Sequence, residues 1–587
     1  MLKYVKFNNP MSFQDNILFI LNKSNKKSLI KIQFLMIVCA FLEMSTLLSI
    51  LPLINILIET SAIYENDYLF RIYTYFNFQN ENQFIIFITS SIIFLFVSST
   101  ILILYTRYSV VKFSQNLLAY LGSIFFRKYL NMKFSFFTEE SSSDIIRNLH
   151  DDLNRAVHGV IQPLMFSIAR INLVIFLIVS LFIYNFKITF FLILILIFCY
   201  LIIFKLVKKT VSIYGELLSQ YSSKKIKLIN ETFSSIKDIL IIGRRSFFLD
   251  AYEKIVQETA KIFTYVNLVS ISPRYLIDLL GFTFILFLII IYKVNFGYAL
   301  DSILPTITFL LFASYKLIPS FQEIYSSFIK IKNNKVVLRN IKKMFDENAT
   351  YNKSVKIIPI DIKKSIEFKN LSFNYKNRSK FKVLDRVSFQ ILANKTNAFI
   401  GGTGSGKSTL MEIILGFHDF ENGQVLIDGK TFDKNNLTNL WKKISYVPQN
   451  SFLLDDTIIS NICFGEDKKQ IKKNLLKLSL KIAQLEEFIN SLPNNIETLV
   501  GEKGVQISGG QKQRICIARA IYQNRKIIFL DEAMSALDEN TENKILKSLQ
   551  QLKGKTILLI THRLKSISNF DNVYFLKDKK LIRKNKN

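Results

Sequence analysis

The sequence predicts two fold classes in series: an α-helical six-span transmembrane domain with long cytoplasmic helical extensions, then an α/β domain with a glycine-rich loop. Three observations predict it. Six long apolar runs occupy the N-terminal half of the 587 residues. Composition changes near 345–365, where DENATYNKSVKIIPIDIKKS is polar and carries no long apolar run. Beyond it, short β-branched strands alternate with helical segments, the pattern of an α/β domain. The resulting boundaries are 1–345 for the membrane domain, 346–364 for a linker and 365–587 for the C-terminal domain.

Composition narrows the class. Half of the residues are apolar and 13% are aromatic, which excludes a disordered chain. Lys and Arg number 76 against 45 Asp and Glu, a formal charge of +31, yet the mean hydropathy is +0.25. Charged and apolar residues are therefore segregated, unlike those of an ordinary soluble enzyme. A charge of +31 raises a nucleic-acid reading, and the placement of the charges decides against it.

The apolar runs fall at about 32–58, 84–105, 163–184, 188–207, 276–292 and 303–324. Each approaches or exceeds the ~20 residues needed to cross ~30 Å of hydrocarbon. Before the first run stand Lys3, Lys6, Lys23, Lys26, Lys27 and Lys31 against Asp15 alone; after it come Glu59, Glu65, Asp67 and Glu81 against Arg71. The positive-inside bias puts the N-terminus in the cytoplasm, and six spans return the C-terminal domain to the same side. The third and fourth runs are joined by little more than Asn185, Phe186 and Lys187. The inner connections, about 106–162 and 208–274, are long and free of Gly/Pro breaks, so they read as helices continuing into the cytoplasm.

Ionisable residues inside spans are candidates for substrate contact. They are Glu43 in mid-span and Arg170, Arg274, Asp278 and Lys316 toward the predicted cytoplasmic ends, with pairing or snorkelling as the plainer roles. Pro52, Pro273, Pro305 and Pro319 read as kinks or span-end breakers. Cys39, Cys199, Cys463 and Cys516 are too scattered for a disulfide framework or a metal site, which fits a reducing compartment. The polar, basic first thirty residues predict no signal peptide.

The strongest motif follows the apolar stretch Ala398–Ile400. Gly401-Gly402-Thr403-Gly404-Ser405-Gly406-Lys407-Ser408 satisfies G-x-x-x-x-G-K-[ST] and leads through Thr409 into a helical segment. Backbone N–H groups of such a loop close around phosphate oxygens at a helix N-terminus. Lys407 would reach the β- and γ-phosphates and the Ser408 hydroxyl would ligate Mg²⁺, so ATP and Mg²⁺ are the expected cofactors. A second strand, Ile527–Leu530, ends in Asp531-Glu532. Asp531 is placed to hold the Mg²⁺ shell and Glu532 to polarise the attacking water.

Ile507-Ser508-Gly509-Gly510-Gln511, before the helix-compatible QKQRICIARAIY, resembles the signature of ATP-binding cassette (ABC) proteins, with Ile507 in place of the usual Leu. The resemblance implies an α/β P-loop ATP-binding cassette domain and roles for further residues. Tyr375 matches the aromatic that stacks on adenine. Gln449 matches the glutamine joining Mg²⁺ and the water to the membrane-domain contact. Thr498–Glu502 resembles the exporter segment before the signature. Ser535–Asp538 matches the loop that crosses to the partner subunit, and His562 matches the switch histidine on the γ-phosphate. In this family the signature serine, here Ser508, serves the nucleotide of the partner cassette. One cassette per chain implies a dimer with two composite sites, and intact motifs make a homodimer the economical form, with a heterodimer open.

Spans followed by a cassette is the layout of ABC exporters. Residues 134–156 and 229–243 resemble their first and second cytoplasmic loops, with residues near 136–147 expected to dock on a cassette. The stretches 41–54, 272–282 and 313–321 are similar to bacterial lipid-linked oligosaccharide flippases of the PglK type. That resemblance implies a polyprenyl-diphosphate-linked glycan moved from inner to outer leaflet of the bacterial inner membrane, its diphosphate met by Arg170, Arg274 and Lys316. Export of lipid A, a peptide or a hydrophobic drug is the alternative. A non-transport ABC ATPase is opposed by the spans, and an ATP-gated channel by Glu532.

Overall fold

The structure, a computed structural model, describes residues 23–346 and 360–584 apart from 185, 297–299, 376–381, 403, 421, 434–435, 502–506, 564–566 and 568. The chain divides into two units, 1–131 with 139–348, and 132–138 with 349–587.

The first unit is helical. Its principal helices are α1 (Lys23–Leu48), α2 (Ile50–Ile58), α3 (Asp67–Tyr75), α4 (Glu81–Leu130), α5 (Gln162–Tyr184), α6 (Phe186–Ser234), α7 (Arg245–Phe296) and α8 (Leu300–Asp346). Among the described residues, Lys26–Ile58, Glu81–Leu130 and Ser142–Tyr184 are long and apolar enough to cross a membrane. The other three apolar runs lie on α6, α7 and α8. The 50 residues of α4 make a rod of about 75 Å, more than twice a hydrocarbon core. As the sequence predicts, α4, α6 and α7 run on through the polar segments next to their apolar runs, and α8 does so as well.

The prolines act differently. Pro52 lacks the N–H that would bond the Leu48 carbonyl, and the helix is interrupted at Ser49. By contrast, α7 runs through Pro273 and α8 through Pro305 and Pro319. The acidic segment 59–81 is also folded. Asn66 caps α3 by accepting from the N–H groups of Tyr68 and Leu69, at 3.0 and 3.3 Å. Tyr73, Phe78 and Phe84 pack edge-on or tilted at 5.3–6.0 Å over fully buried Ile56 and Ile63.

Packing of the unit follows its apolar faces. Leu47 of α1, Leu173 and Leu177 of α5 and Phe309 and Leu317 of α8 form one buried cluster. Val211 of α6, Ile262 and Val266 of α7 and Ile329 of α8 form another. Large apolar side chains also face outward, Phe94 at 73% and Leu206 at 75% exposure, as lipid or a second copy would require. A polar pin joins three segments. Arg155 Nε donates to Asn334 Oδ1 at 2.9 Å, and its Nη2 reaches the Gly215 carbonyl of α6 at 3.4 Å. At Gly215 the backbones nearly touch: a Cβ there would lie 1.9 Å from the Asn333 carbonyl oxygen.

The second unit holds two sheets. The smaller is antiparallel in the order β2-β1-β4-β5: Leu384–Leu392, Ser365–Phe373, Asn422–Ile427 and Lys430–Thr431. The larger has the order β10-β9-β3-β8-β7-β6: Lys580–Lys584, Asn572–Lys577, Thr396–Gly401, Thr556–Thr561, Ile527–Asp531 and Ile444–Val447. Strands β9, β3, β8, β7 and β6 run parallel, so their carboxyl ends share one edge. Helices α9 (Lys407–Ile414), α10 (Gly509–Tyr522) and α11 (Glu539–Gln550) cover this sheet. Segment 132–138 belongs to this unit, where Phe134 stacks on Phe417 with ring centroids 4.7 Å apart and Lys133 pairs with Asp419 at 3.6 Å. Of the stretch near 136–147 expected to dock on a cassette, residues 136–138 fall in this unit.

A methyl group at Gly215 must push α6 from α8, since the atom it meets is backbone. Gly215→Ala is expected to destabilise the full-length protein by about 1–3 kcal/mol, seen as a lower melting temperature.

Candidate functional site

The carboxyl edge of the larger sheet collects the motif residues. β3 ends at Gly401, β6 at Val447 two residues before Gln449, β7 at Asp531, and β8 at Thr561 next to His562. Ligands of open parallel sheets bind at this edge. Between β3 and α9 the loop turns at Gly406, whose φ of +98° is strained for any L side chain and whose Cβ would meet Val383 at 3.0 Å. Thr403 lies outside the described residues, as does Glu502.

Lys407 is only 7% exposed and donates to the Gly401 and Gly402 carbonyls at 3.0 and 2.9 Å. Its ammonium lies 3.9 Å from Glu532 Oε1, while Gln449 Nε2 donates to Glu532 Oε2 at 2.8 Å. Glu532 takes φ +45°, a left-handed conformation costing about 1–3 kcal/mol in a non-glycine residue, and its N–H donates to the Ile560 carbonyl at 3.0 Å. The strained backbone is thus anchored on β8. Tyr375 Oη and Thr409 Oγ1 share a hydrogen bond of 3.0 Å, and Tyr375 packs on Phe373 and His418 at 5.0 and 5.5 Å.

Two buried oxygens test the fit to a nucleotide and its metal. Ser405 Oγ in the loop and Asp531 Oδ1 at the end of β7 have no hydrogen-bond partner among the described residues. The other Asp531 oxygen lies 3.5 Å from the Tyr446 hydroxyl. Burial, and then the neighbouring Glu532 charge, push the Asp531 carboxyl up to about 6. A buried carboxylate oxygen without a hydrogen-bond partner among the described residues, beside a donor-rich loop, fits a divalent ion next to phosphates.

The signature forms a second patch. Ser508 caps α10 by accepting from the Gln511 N–H at 3.2 Å, and the Gln511 side chain accepts from the Ser508 N–H at 2.8 Å. Gly509 and Gly510 pass against Ala536. Asp538 caps α11 by accepting from the Thr541 N–H at 2.9 Å, which holds its carboxyl below the usual range. No hydrogen bond or ion pair among the described residues links Ser508–Gln511 to the glycine-rich loop. Two residues the motifs do not name hold this patch. Gln513 donates to Ser535 Oγ at 3.1 Å and accepts from the Ala536 N–H at 2.9 Å. Arg563 donates to the carbonyls of Ser535 and Leu537, at 3.0 and 3.3 Å, and pairs with buried Glu542. His562 and Glu532 line one shallow cleft with Ser535, Glu542 and Arg563.

The intramembrane candidates split. Glu43, Arg170 and Lys316 are brought together, Glu43 lying 3.8 Å from Arg170 and 3.3 Å from Lys316. Arg274 and Asp278 pair with each other one turn apart, at 3.6 Å, and stand outside that group. Arg107 and Glu323 join it instead, Glu323 accepting from Arg170 Nε at 2.6 Å. The signal for them was faint: Arg107 falls two residues past the second apolar run and Glu323 at the end of the sixth.

Helices carrying apolar runs, joined to a P-loop α/β domain, define an ATP-driven membrane transporter. Family models match residues 384–535 as ABC transporter and 29–316 as ABC transporter transmembrane region. A putative export ATP-binding/permease protein of Rickettsia bellii is 30% identical over 461 residues, 76% of this chain and 77% of that one. One from Rickettsia typhi is 43% identical over 219 residues, and there the match spans only 38% of the relative's length. An ATP-dependent lipid A-core flippase of Haemophilus influenzae is 40% identical over 212 residues, 36% of each chain. The solved structure of a bacterial Atm1-family ABC exporter with ATP bound superposes with a TM-score of 0.79 at 20% identity, covering 94% of this chain and 95% of that one. The chain belongs to the ABC transporter family, as an ATPase coupled to export.

Two outcomes follow from this geometry. Glu532→Gln keeps the Gln449 contact and is expected to bind ATP while hydrolysing it at least about 100-fold more slowly, measured as phosphate release. Undiminished release removes Glu532 from the role of base. Because Asp531 is raised in the folded state, its penalty on stability is small near pH 4 and grows as pH rises through the folded value of about 6. Asp531→Asn, without Mg²⁺ or nucleotide, is therefore expected to melt at least about 2 °C above the unaltered protein at pH 7.5, and by a much smaller margin near pH 4.

Proposed function

We propose that this chain is one half of a homodimeric ATP-driven flippase that moves a lipid-linked oligosaccharide, a polyprenyl-diphosphate glycan, from the inner to the outer leaflet of a bacterial cytoplasmic membrane through six spans per subunit. The observation that carries the reading is the group of Arg107, Arg170 and Lys316 gathered on Glu43 and Glu323 within the apolar helices, a cationic excess suited to an anionic lipid headgroup. Aromatic α3 supports it, because Tyr-rich surfaces settle at the headgroup level, and Tyr68 and Tyr75 are 79% and 82% exposed.

In this reading Tyr375 stacks on adenine and the backbone of 401–406 cradles the phosphates. Lys407 reaches the β/γ-phosphates and Thr409 supports Tyr375. Ser408, Gln449 and Asp531 would hold Mg²⁺, whose chemistry is neutralisation of phosphate charge. Glu532 takes up the proton of the attacking water while Gln449 fixes its orientation. His562 contacts the γ-phosphate. Ser508, Gly509, Gly510 and Gln511 serve the nucleotide of the partner, with Asp538 at the crossing. The separation of the two patches within one chain supports a composite site, since among the described residues no hydrogen bond or ion pair joins the signature to its own glycine-rich loop.

Export of a lipid A-type glycolipid is the second reading, favoured by the similarity to the Haemophilus flippase. Reconstitution in liposomes separates the two: lipid-linked oligosaccharide is expected to cross and to stimulate ATP hydrolysis at least about twofold, with lipid A inert. The reverse result replaces the first reading by the second.

A further inference from the structure

His418 is a buried histidine, its side chain 8% exposed, and it lies outside every motif of the nucleotide site. Its Nε2 shares a hydrogen bond of 2.9 Å with Glu412 Oε2, and its ring meets three others. Tyr375 stands edge-on to it at 5.5 Å, Phe373 lies tilted at 5.2 Å, and Phe134 stands edge-on at 6.0 Å. His418 thus sits between the candidate adenine platform and segment 132–138, whose chain comes from the helical unit and returns to it.

Tyr375 needs such support. β1 ends at Phe373, so its ladder does not fix a ring two residues further on, and Tyr375 is 37% exposed, as a platform for a planar base must be. Two side chains hold it: Thr409 Oγ1 at the hydroxyl, 3.0 Å away, and His418 at the ring. Both supports are rooted on α9, Thr409 directly and His418 through Glu412, which lies three residues later on the same helix face. Since α9 starts at Lys407, the ring that would meet adenine is indexed to the loop that would meet phosphate. On the other side, Phe134 stands against His418 while stacking on Phe417 at 4.7 Å.

We propose that His418 is a positioning residue for adenine: it fixes the Tyr375 ring against α9, and through it Phe134 sets how tightly the base is held. The proposal rests on the reading of Tyr375 as the adenine-stacking ring. A shift of segment 132–138 then changes nucleotide affinity at the base without touching the phosphates. An edge-to-face ring pair is worth about two- to tenfold in an equilibrium constant, so loss of the His418 ring is felt in that range. A base that stacks less strongly depends less on the platform. A merely structural role would weaken every nucleotide alike.

The test is steady-state hydrolysis of ATP and of UTP, which presents a smaller base, by the full-length protein in detergent. The unaltered protein is expected to show the lower KM for ATP. His418→Leu raises that KM about three- to tenfold, with kcat within about twofold and the KM for UTP nearly unchanged. His418→Phe keeps a ring and restores most of the preference for ATP over UTP. Phe134→Leu raises the ATP KM about twofold in the unaltered protein and not at all beside His418→Leu, because its effect passes through His418. It also carries the ATP-against-UTP comparison should His418→Leu not fold. No preference for ATP in the unaltered protein, equal rises for ATP and UTP, a fall in kcat alone, no rescue by His418→Phe, or additive effects of Phe134 and His418 each overturn the proposal. Tyr375→Leu separates the two failures. If it leaves the preference intact, the stacking reading falls and the proposal with it. If it abolishes the preference while His418→Leu and Phe134→Leu do not move it, the proposal alone falls.

Discussion

A peptide group without a hydrogen-bond partner costs several kcal/mol in hydrocarbon, and the helical unit is organised around that cost. Helices of 47 to 52 residues keep nearly all internal N–H and C=O groups within one segment from the apolar runs through their polar continuations, the prolines excepted. The same cost governs the side chains. Glu43 sits where water is scarce, and it is tolerated because Arg170 and Lys316 come to it from other helices. Each cation needs a carboxylate in turn, which draws in Glu323 and Arg107. The charge cluster is thus assembled by mutual need across α1, α4, α5 and α8.

In the cassette, the governing constraint is the parallel sheet. Four strands that share a direction must end on one edge, so groups separated by up to 160 residues of sequence arrive together. Asp531 and Glu532 occupy consecutive positions there with opposite treatment. Asp531 continues β7 into a dry environment, and Glu532 turns out of the strand through a left-handed residue toward Gln449 and Lys407.

Legibility in the sequence follows the range of the interaction. The phosphate loop, the Asp531-Glu532 strand end and the signature helix are contiguous patterns, and each stands on the predicted element. Gln513 and Arg563 were not visible, because their meaning lies in carbonyl and amide groups 22 to 28 residues away. Arg107 and Glu323 were not visible either, since a charge at the end of an apolar run has the ordinary explanation of reaching the interface. Arg274 and Lys316 read alike in one dimension, yet Arg274 finds Asp278 one turn away and Lys316 finds Glu43 across helices. The acidic segment 59–81 was read by its charges, while its tyrosines and phenylalanines decide its fold.

The contact at Gly215 has a mechanical meaning. Two backbones so close cannot slide by a residue without collision, and Arg155 fastens the adjoining segment to both of them. The middle of α6, the middle of α8 and residues 153–161 then behave as one lever with no internal play. A transporter must still change shape, so its compliance is displaced elsewhere: to α7, where Pro273 removes one rung of the hydrogen-bond ladder, and to the break at Ser49 between α1 and α2. Stiffness at one crossing thereby selects which joints bend.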